Sequence, residues 1–525
     1  MTILSKVRLV SVILSSSCCD VLGRTLKHCT HLKSLEMNHT NLHSFQLDFS
    51  NMTELSELRV VSVTLSSSCC DVLGRTLTNC INLSTLGMYN TNLHNCMLDL
   101  SNITALTKLK LVSVALSASC CDILGRSLTH CTRLKTLEVN NTNLHNCQLD
   151  LSNMILQSEL RLVSVTLSDT CCDTLGRTLT QCTRLETIEI NNTNLHNCHL
   201  DLSNMRVLSE MSLSGITLSA GCCDVLGKTL THCSQLWRLK LRNINLHNCQ
   251  LDLSNMTELS DIRLISVTLS TSCCNILGRT LTHCTRLETL EVNNTNLHNC
   301  QLDLSYMTIL LEISLVDTTL SSISCDLLGR ALTHYTQLEK LKVNNTNLHN
   351  CLLDLSNMMV LSILNLSSVT LSTSCCDIMG RTLTHCIQLE ALDVSNINLH
   401  NCLLDLSNMT RLSKFILSGV TLSSSCCDVL GRTLTHCSKL KTLEVNNTYL
   451  HNCLLDLSNM TILLKLSIRG VTLSSSCCDV LGRTLTHCSK LETLEVNNTY
   501  LHNCELDLSN MTVLSKISLD ISNTV

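Results

Sequence analysis

Residues 120–139 read CCDILGRSLTHCTRLKTLEV, and this stretch recurs along the chain at a constant spacing of 51 residues. The second cysteine of each copy marks the period and falls at Cys19, Cys70, Cys121, Cys172, Cys223, Cys274, Cys325, Cys376, Cys427 and Cys478. A fixed period over a whole chain predicts a solenoid, in which each unit buries its apolar face only against its neighbours. A chain made of repeats throughout leaves no separate catalytic domain. We therefore expect no enzyme, and no catalytic residues.

Each 51-residue unit contains two copies of one apolar pattern. In the quoted unit the copies are Leu106, Leu109, Leu111, Val114, Leu116 and then Leu134, Leu137, Val139, Thr142, Leu144. The alternation of apolar and polar residues predicts a strand with one buried face in each copy. Successive patterns start 28 and then 23 residues apart, so long and short repeats alternate and 21 strands are expected.

The longer connection of each unit predicts a helix. In the quoted unit, Ser119 is a good N-cap residue and Asp122 suits the positive end of a helix. One helical face is predicted to consist of Cys121, Leu124, Leu128 and Cys131. Gly125 costs stability inside a helix, so we expect it to permit close approach of the neighbouring helix.

A family resemblance is carried by Leu124-Gly125-Arg126-x-Leu128-x-x-Cys131-x-x-Leu134-x-x-Leu137-x-Val139 and its copies. The pattern resembles the leucine-rich repeats of the ribonuclease-inhibitor and NOD-like-receptor kind, and it covers essentially the whole chain. The resemblance implies an α/β leucine-rich-repeat solenoid, a horseshoe with a parallel β-sheet on the concave face and helices and short turns on the convex face. It also implies binding of a protein or microbial ligand on the concave face. The chain departs from the family pattern in having no proline, and in replacing the ladder asparagine by Thr142 or Val114.

Composition narrows the classes of partner. The net charge of -5 gives no basic footprint for nucleic acid. No apolar run approaches the roughly 20 residues that span a bilayer, so no membrane is expected. The first 16 residues align with those from Met52 onward, and we interpret them as repeat rather than signal peptide. We expect one solenoid over residues 1–525, about ten double repeats, and no separate caps. Uncapped ends favour either a fragment of a longer chain or end-to-end self-association.

The 37 cysteines fall in four repeat columns. Zinc and disulfide readings both fit poorly, because there is no Cys-x-x-Cys and because Phe45, Tyr335 and Ser324 replace cysteine in individual copies. Free cysteine packs as a small hydrophobe, so we expect buried, reduced thiols and a cytoplasmic protein. Repeated glycosylation sequons, such as those of Asn51 and Asn102, keep a secreted location as the alternative.

Three other candidate sites have simpler structural explanations. Gly227-Lys228-Thr229 resembles the end of a phosphate-binding loop, but its counterparts elsewhere read Gly-Arg-Thr or Gly-Arg-Ser. The Asp150 column is acidic in all ten units, and we expect a local cap to backbone amides near Ser152 rather than calcium binding. Eighteen of the 21 histidines lie in the columns of His130 and His145, which we interpret as polar surface. No cofactor or metal is expected.

The binding residues are predicted at the middle outward position of the strands. They are Arg8, Glu36, Arg59, Lys110, Glu138, Arg161, Glu189, Lys240, Arg263, Glu291, Asp393, Glu444 and Glu495. Adjacent strands lie about 4.8 Å apart, so opposite charges should face each other along the first half of this series. The last third is acidic and small, which favours a partner with a basic patch. Trp237 and Tyr89 are the aromatic exceptions.

A non-enzymatic scaffold for protein interaction or ligand recognition is the function we expect. It would resemble the sensing array of a NOD-like-receptor-like innate immune protein. Two alternatives remain open: an extracellular leucine-rich-repeat receptor or decoy, and a substrate adaptor of a ubiquitin ligase.

Overall fold

The computed structural model describes residues 4–42, 48–400, 402–450, 453–497 and 506–520. The chain divides into two compact units. The first consists of Met1–Leu259 with Val267–Cys273, and the second of Ser260–Ser266 with Cys274–Val525. Both are built from the repeat described above, so each is described by itself.

The first unit alternates strands with one helix per double repeat. Its elements in chain order are β1 (Lys6–Val10), α1 (Ser16–Leu26), β2 (Ser34–Asn38), β3 (Asn41–Leu42), β4 (Glu57–Val61), β5 (Thr64–Leu65), α2 (Ser67–Leu77), β6 (Thr85–Tyr89), β7 (Lys108–Val112), α3 (Ala118–Leu128), β8 (Thr136–Asn140), β9 (Glu159–Val163), α4 (Asp169–Leu179), β10 (Thr187–Asn191), β11 (Glu210–Ser214), α5 (Ala220–Leu230) and β12 (Arg238–Leu246).

The second unit repeats this order with shorter strands in its middle. Its elements are β13 (Asp261–Leu269), α6 (Thr271–Leu281), β14 (Thr289–Asn293), β15 (Asn296–Leu297), β16 (Glu312–Ser314), β17 (Thr319–Leu320), α7 (Ser322–Leu332), β18 (Lys340–Lys342), β19 (Ile363–Asn365), α8 (Thr373–Thr382), a 3₁₀ turn (Leu383–His385), β20 (Ala391–Asp393), β21 (Lys414–Ser418), α9 (Ser424–Leu434), β22 (Thr442–Asn446), β23 (Tyr449–Leu450), β24 (Lys465–Arg469), β25 (Thr472–Leu473), α10 (Ser475–Leu485), β26 (Thr493–Asn497) and β27 (Lys516–Asp520).

Parallel pairing of consecutive main strands builds the sheet of each unit. In the described part of the chain, ten main strands belong to the first unit and eleven to the second, as the repeat pattern predicts. The register is constant: Lys110 of β7 lies opposite Glu138 of β8, and Glu138 lies opposite Arg161 of β9. The two-residue strands form separate short parallel pairs, such as β3 with β5. Because strands pair in chain order, equivalent positions of successive repeats lie side by side.

Alternation within each strand separates the core from the outward face. In β7, Leu109 and Leu111 are buried while Lys108 is exposed, which is the period of two expected for a half-buried strand. The strand hydrogen bonds place these leucines at the same depth in every repeat. The predicted strands are therefore confirmed, with their apolar residues in the core.

The helices bury the predicted face but begin earlier than predicted. In α3, Cys121, Leu124 and Leu128 are buried, as is Cys120 beside them. The N-cap is Ser117, whose Oγ accepts a hydrogen bond from the amide of Cys120 at 3.3 Å. The prediction of Ser119 as N-cap was therefore wrong, since Ser119 lies inside the first helical turn.

Gly125 permits a close approach, although not the one predicted. A Cβ at this position would lie 2.8 Å from the backbone nitrogen and oxygen of Gln148, and 3.2 Å from the Cys147 sulfur. These atoms belong to the following short connection and not to a neighbouring helix. The same contact recurs at other helix glycines, for example between Gly176 and His199. In these helices the glycine allows the helix to pack closely against the following short connection.

One residue at or near the end of the main strands has a positive φ. Ser113 has φ 52° and Asn141 has φ 48°, and glycine takes this place in three copies, at Gly215, Gly419 and Gly470. This left-handed conformation suits glycine and asparagine. Thr142, which replaces the family's ladder asparagine, accepts a hydrogen bond from the Val114 amide at 3.3 Å. Threonine at this position therefore still hydrogen-bonds to the backbone of the neighbouring repeat.

Candidate functional site

The candidate site is the sheet face, which we define as the outward side chains of the main strands. All thirteen residues predicted to bind a partner are the third residue of a described main strand. Strand pairing brings neighbouring members together. Arg8 of β1 lies opposite Glu36 of β2, and Arg161 of β9 lies opposite Glu189 of β10. The geometry is an ordered row of charges on a rigid sheet.

Ion pairs neutralise much of this row in the first unit. Arg8 bonds to Glu36 at 3.0 Å, Lys110 to Glu138 at 2.6 Å and Arg161 to Glu189 at 2.9 Å. The hydrogen bond from Lys110 to Glu138 raises the pKa of the lysine. Each pair is partly open to solvent, so it contributes little to stability.

Two basic residues of the first unit are less engaged by carboxylates. Lys240 of β12 lies opposite Ser212 and has no ion pair within the described residues. Arg59 of β4 lies opposite Gly87 and stacks on the ring of Tyr89 at 5.1 Å. These positions offer positive charge that a partner could meet with acidic groups.

Two predicted acidic residues of the second unit, Glu444 and Glu495, are not free carboxylates. Glu444 pairs with Lys465 at 2.7 Å, and Glu495 pairs with both Arg469 at 2.5 Å and Lys516 at 2.7 Å. Lys465 and Lys516 are the first residues of the strands that follow. A comparison of the middle positions alone does not include them. The end of the array is therefore less acidic than the middle-position sequence suggests.

Glu495 is the most enclosed carboxylate of the predicted set. Its side chain is 4% exposed. Hydrogen bonding from Lys516, followed by that from Arg469, lowers its pKa to about 2. It is thus a structural anion rather than a group available to a ligand.

The remaining predicted residues have local partners. Arg263 bonds to Glu291 at 3.3 Å and to Asp261 at 2.9 Å. Asp393 accepts hydrogen bonds from the amide and hydroxyl of Ser395 at 3.1 and 2.6 Å. Arg263 and Asp393 would present their full charge to a ligand only if these contacts were broken.

The lone tryptophan lies in a cleft at the strand-start edge of the first unit. Trp237 precedes β12, and the Arg238 guanidinium lies over its ring, 4.1 Å from the ring centroid. The cleft has a volume of about 460 Å³ and is lined by Glu186, Val207, Ser209, Gln235, Trp237 and Glu258. Arg238 in turn pairs with Glu210 at 3.5 Å. Aromatic and apolar groups of this kind are typical anchors of protein interfaces.

The described cysteine columns are almost entirely buried. The described residues contain 36 cysteines, none of which is in a disulfide bond, and of these Cys18 is exposed. Burial raises the pKa of Cys121 to about 11 and that of Cys131 to about 12, so both stay protonated at neutral pH. Within the described residues, no group of three or more histidine, cysteine or acidic side chains could hold a metal ion.

Two substitutions in the columns show what the cysteines contact. Cys131 lies 3.9 Å from the carbonyl of Leu100, and in its column Tyr335 donates its hydroxyl to the carbonyl of Leu304 at 2.7 Å. Ser324, in the column of Cys120, bonds to the carbonyl of Cys300. These contacts support the interpretation of the columns as packing positions. Phe45 lies outside the described residues.

The other candidate sites keep their structural explanations. Asp150 accepts a hydrogen bond from the Ser152 amide at 2.9 Å, as predicted. Lys228 pairs with Asp224 one turn earlier on α5. His130 and His145 are exposed. Local contacts or surface exposure therefore account for all of these positions.

Comparison with known proteins adds one curated relative. A scan against protein-family models finds no match. The chain is 26% identical over 215 residues to NACHT, LRR and PYD domains-containing protein 4C of Mus musculus. The match covers 36% of this chain and 21% of that protein, so the chain spans about a fifth of the relative's length. Over the matched residues the chain is similar to this leucine-rich-repeat protein.

Solved structures with some similarity to this chain include a leucine-rich-repeat protein. The functional domain of InlJ from Listeria monocytogenes, described as including a cysteine ladder, is 20% identical with a TM-score of 0.47. That match covers 76% of this leucine-rich-repeat chain and 70% of the InlJ chain. A leucine-rich-repeat protein of Leptospira interrogans is 11% identical with a TM-score of 0.39, covering 94% and 91% of the two chains. Among the described residues of this leucine-rich-repeat protein, no helix is long and apolar enough to cross a membrane.

Proposed function

We propose that this leucine-rich-repeat protein is a non-enzymatic recognition array that binds a protein or microbial ligand on its sheet face, as the sensing part of a NOD-like-receptor-like innate immune protein in the cytoplasm. The similarity to a NACHT, LRR and PYD protein and the buried, reduced thiols support this. A reducing compartment suits so many free thiols. The proposed ligand surface is the concave side implied by the repeat type, and nucleic acid is not among the proposed ligands.

The proposal rests on one observation: the repeats differ at their outward strand positions and agree at their inward ones. At the middle outward position, equivalent residues read Lys110, Ser212 and Ile416, whereas their inward neighbours Leu109, Met211 and Phe415 are all buried and apolar. The fold needs only the inward residues. A face whose side chains change from repeat to repeat on a fixed backbone is suited to recognise one particular surface.

The proposal is tested by site-specific photo-cross-linking in the cytoplasm of cells that express the chain. A photoreactive amino acid replaces Ser212 or Ile416 on the sheet face. The matched controls replace Gln148 or Gln301, which are exposed on the short connections. We expect the two sheet-face positions to label the same macromolecule and the controls not to label it. Equal labelling from all four positions, or none from the sheet face, would refute the proposal.

A secreted receptor or decoy is the second candidate, because exposed asparagines stand in glycosylation sequons. Asn51 and Asn102 are both exposed. In the other sequon column, by contrast, Asn140 is half-buried and its amide donates to Glu138 at 3.0 Å. The native mass separates the two candidates: added sugar on Asn51 or Asn102 favours secretion, and an unmodified chain favours the cytoplasm.

A further inference from the structure

One stretch of the strand-start edge in the second unit departs from the repeat. Glu288, Glu339 and Glu390 directly precede β14, β18 and β20, and all three are exposed. None of them makes an ion pair within the described residues. At the equivalent position of the first unit the chain has Lys33, Ser84, Lys135, Glu186 and Trp237, so a run of three glutamates occurs there nowhere. We call these three glutamates the acidic edge.

Apolar side chains lie between these glutamates along the same edge. Ile309 is 41% exposed, Met359 is 53% exposed and Val360 is 37% exposed, and Leu311 and Ile363 are half-buried. In the first unit the column of Leu311 contains only serine and threonine, and the column of Met359 contains threonine apart from Ile155 and Arg206. The repeat does not require apolar residues here, so the fold alone does not explain them. Clustered apolar groups among charges mark an interaction surface.

The backbone holds this edge in a fixed order. The amide of Leu311 donates to the carbonyl of Glu288, and the amide of Glu339 donates to the carbonyl of Leu311, both at 2.8 Å. The series continues through Ser362 to Glu390, again with 2.8 Å bonds. The glutamates therefore alternate with Leu311 and Ser362 along a hydrogen-bonded backbone, and such preorganisation lowers the entropic cost of binding.

Basic residues do not neutralise this edge. Lys340 and Lys342 lie close by, but both bond to Glu312, at 3.3 and 2.9 Å. Arg286 stands two places before Glu288, as Arg133 and Arg184 do in the first unit, but the residues two places before Glu339 and Glu390 are Gln337 and Gln388. The acidic edge thus offers negative charge to a basic partner.

The spacing of the glutamates selects a helix as occupant. Successive members stand two strands apart, which is about 10 Å. Seven residues of helix rise about 10.5 Å and return to the same face. Three residues of an extended chain also span about 10 Å, but successive side chains would then point to opposite sides. A helix can therefore present one basic residue to each glutamate, with apolar residues between them.

We propose that the acidic edge and its intervening apolar side chains bind an amphipathic basic helix of a partner protein, with lysine or arginine at every seventh residue. The proposal rests on the proposed function and names a partner class for it. The helix lies along the strand-start edge. Its basic side chains bond to Glu288, Glu339 and Glu390, and its apolar residues cover Ile309, Met359 and Val360.

Fluorescence anisotropy with a designed peptide tests this. The probe is a labelled helical peptide with lysine at every seventh residue, a leucine pair midway between lysines, and alanine and glutamine elsewhere. We expect the full chain to bind it, and the triple variant Glu288→Gln, Glu339→Gln, Glu390→Gln to bind at least about tenfold more weakly, or about 1.4 kcal/mol. The apolar variant Met359→Thr, Val360→Ala should also lose affinity. Added salt should weaken binding by the wild-type chain.

Matched controls separate this site from charge in general. Glu186→Gln changes the same column in the first unit and should leave binding unchanged. A peptide of equal composition with lysine at every sixth residue spreads its charge around the helix and should bind weakly. Equal binding of the two peptides, or full binding by the triple variant, would overturn the proposal. Stronger binding of a proline-containing extended version would assign the edge to an extended partner and also overturn it.

The outcome is independent of the cross-linking test. Failure of the peptide to bind, with cross-linking from Ser212 and Ile416 intact, would refute the acidic edge alone. Loss of sheet-face cross-linking with peptide binding intact would refute the proposed ligand surface and leave the edge site in place.

Discussion

At the residue scale, the cysteine columns behave as small apolar positions with a weak hydrogen bond. Tyr335 shows this most directly, because it fills a cysteine position while fully buried and its hydroxyl still reaches a backbone carbonyl. The same repeat has Ala331 where its neighbours have Thr280 and Thr382. A larger residue thus coincides with a smaller one four places earlier. The packing role was predictable from sequence because such substitutions are incompatible with a metal site or a disulfide.

The enclosed carboxylate of Glu495 predicts a pH-dependent contribution to stability. Its pKa of about 2 lies below the value near 4.5 of an unfolded glutamate. Its contribution is therefore fully present above about pH 4.5 and is lost as the pH falls through 2. We expect Glu495→Gln to lower the free energy of unfolding by about 2 kcal/mol at pH 6, the range of hydrogen bonds to charged groups.

Urea unfolding from pH 6 to pH 2 measures this contribution. The difference between wild type and Glu495→Gln should shrink steadily below pH 4.5. Glu36→Gln is a matched control, because its ion pair with Arg8 is more exposed and should matter less. A difference that stays constant down to pH 2 would contradict the expected titration.

At the element scale, periodicity predicted the strands and the buried face of each helix, whereas local geometry had to come from the structure. The sequence pointed to Ser119 as the cap, whereas in the structure Ser117 caps the helix and its side chain accepts a hydrogen bond from the Cys120 amide. The two-residue strands such as β3 and β5 were not predicted. They arise from hydrogen bonds between neighbouring repeats, and too few residues are involved to show a period.

The glycine column gives a prediction at this scale in which two effects oppose each other. Gly125→Ala gains up to about 1 kcal/mol of helix propensity. The new Cβ would lie 2.8 Å from backbone atoms of Gln148, and overpacking against backbone costs about 1–3 kcal/mol or more. We expect the clash to dominate and the variant to lose about 2 kcal/mol in urea unfolding.

Gly221→Ala is the matched control, since it also lies on a helix. The nearest atom to its Cβ would be the His199 ring carbon at 3.9 Å, an ordinary contact. This variant should be neutral or slightly more stable. If both alanine variants had the same stability, the close approach of helix and short arm would not constrain the fold.

At the scale of the whole molecule, burial predicts that the thiols are nearly inert in the folded chain. Cys18 is exposed, while the other described cysteines are buried. Thiolate is the reactive form, and raised pKa values make it scarce. Brief alkylation of the native protein without reductant should add few groups, Cys18 first, and alkylation in urea should reach all 37 cysteines.

Intact mass spectrometry measures both steps. Dithiothreitol added before the urea step provides the control, and it should not raise the final number of alkyl groups. A rise would reveal disulfides in the native chain and would count against a reducing compartment. Rapid native labelling of many cysteines would show that the columns open to solvent.

The candidate site was predicted in part. The charges that face each other were found because side chains of paired parallel strands repeat at fixed positions. The lysines beside Glu444 and Glu495 were missed, since they come from a different position of the next strand and reach the carboxylates diagonally. The acidic edge was missed as well. It precedes the strands, where alternation of apolar and polar residues gives no signal.

The uninterrupted 51-residue period has a consequence for addressing. A partner that touched only side chains shared by all copies could settle one unit further along and find nearly the same chemistry. Ten equivalent binding positions would strengthen the observed binding free energy by about 1.4 kcal/mol through multiplicity alone. The partner would nevertheless not occupy one defined position along the chain. The individual departures, such as Trp237 or the glutamates of the acidic edge, act as landmarks that assign one alignment. The information in this protein resides where its copies disagree.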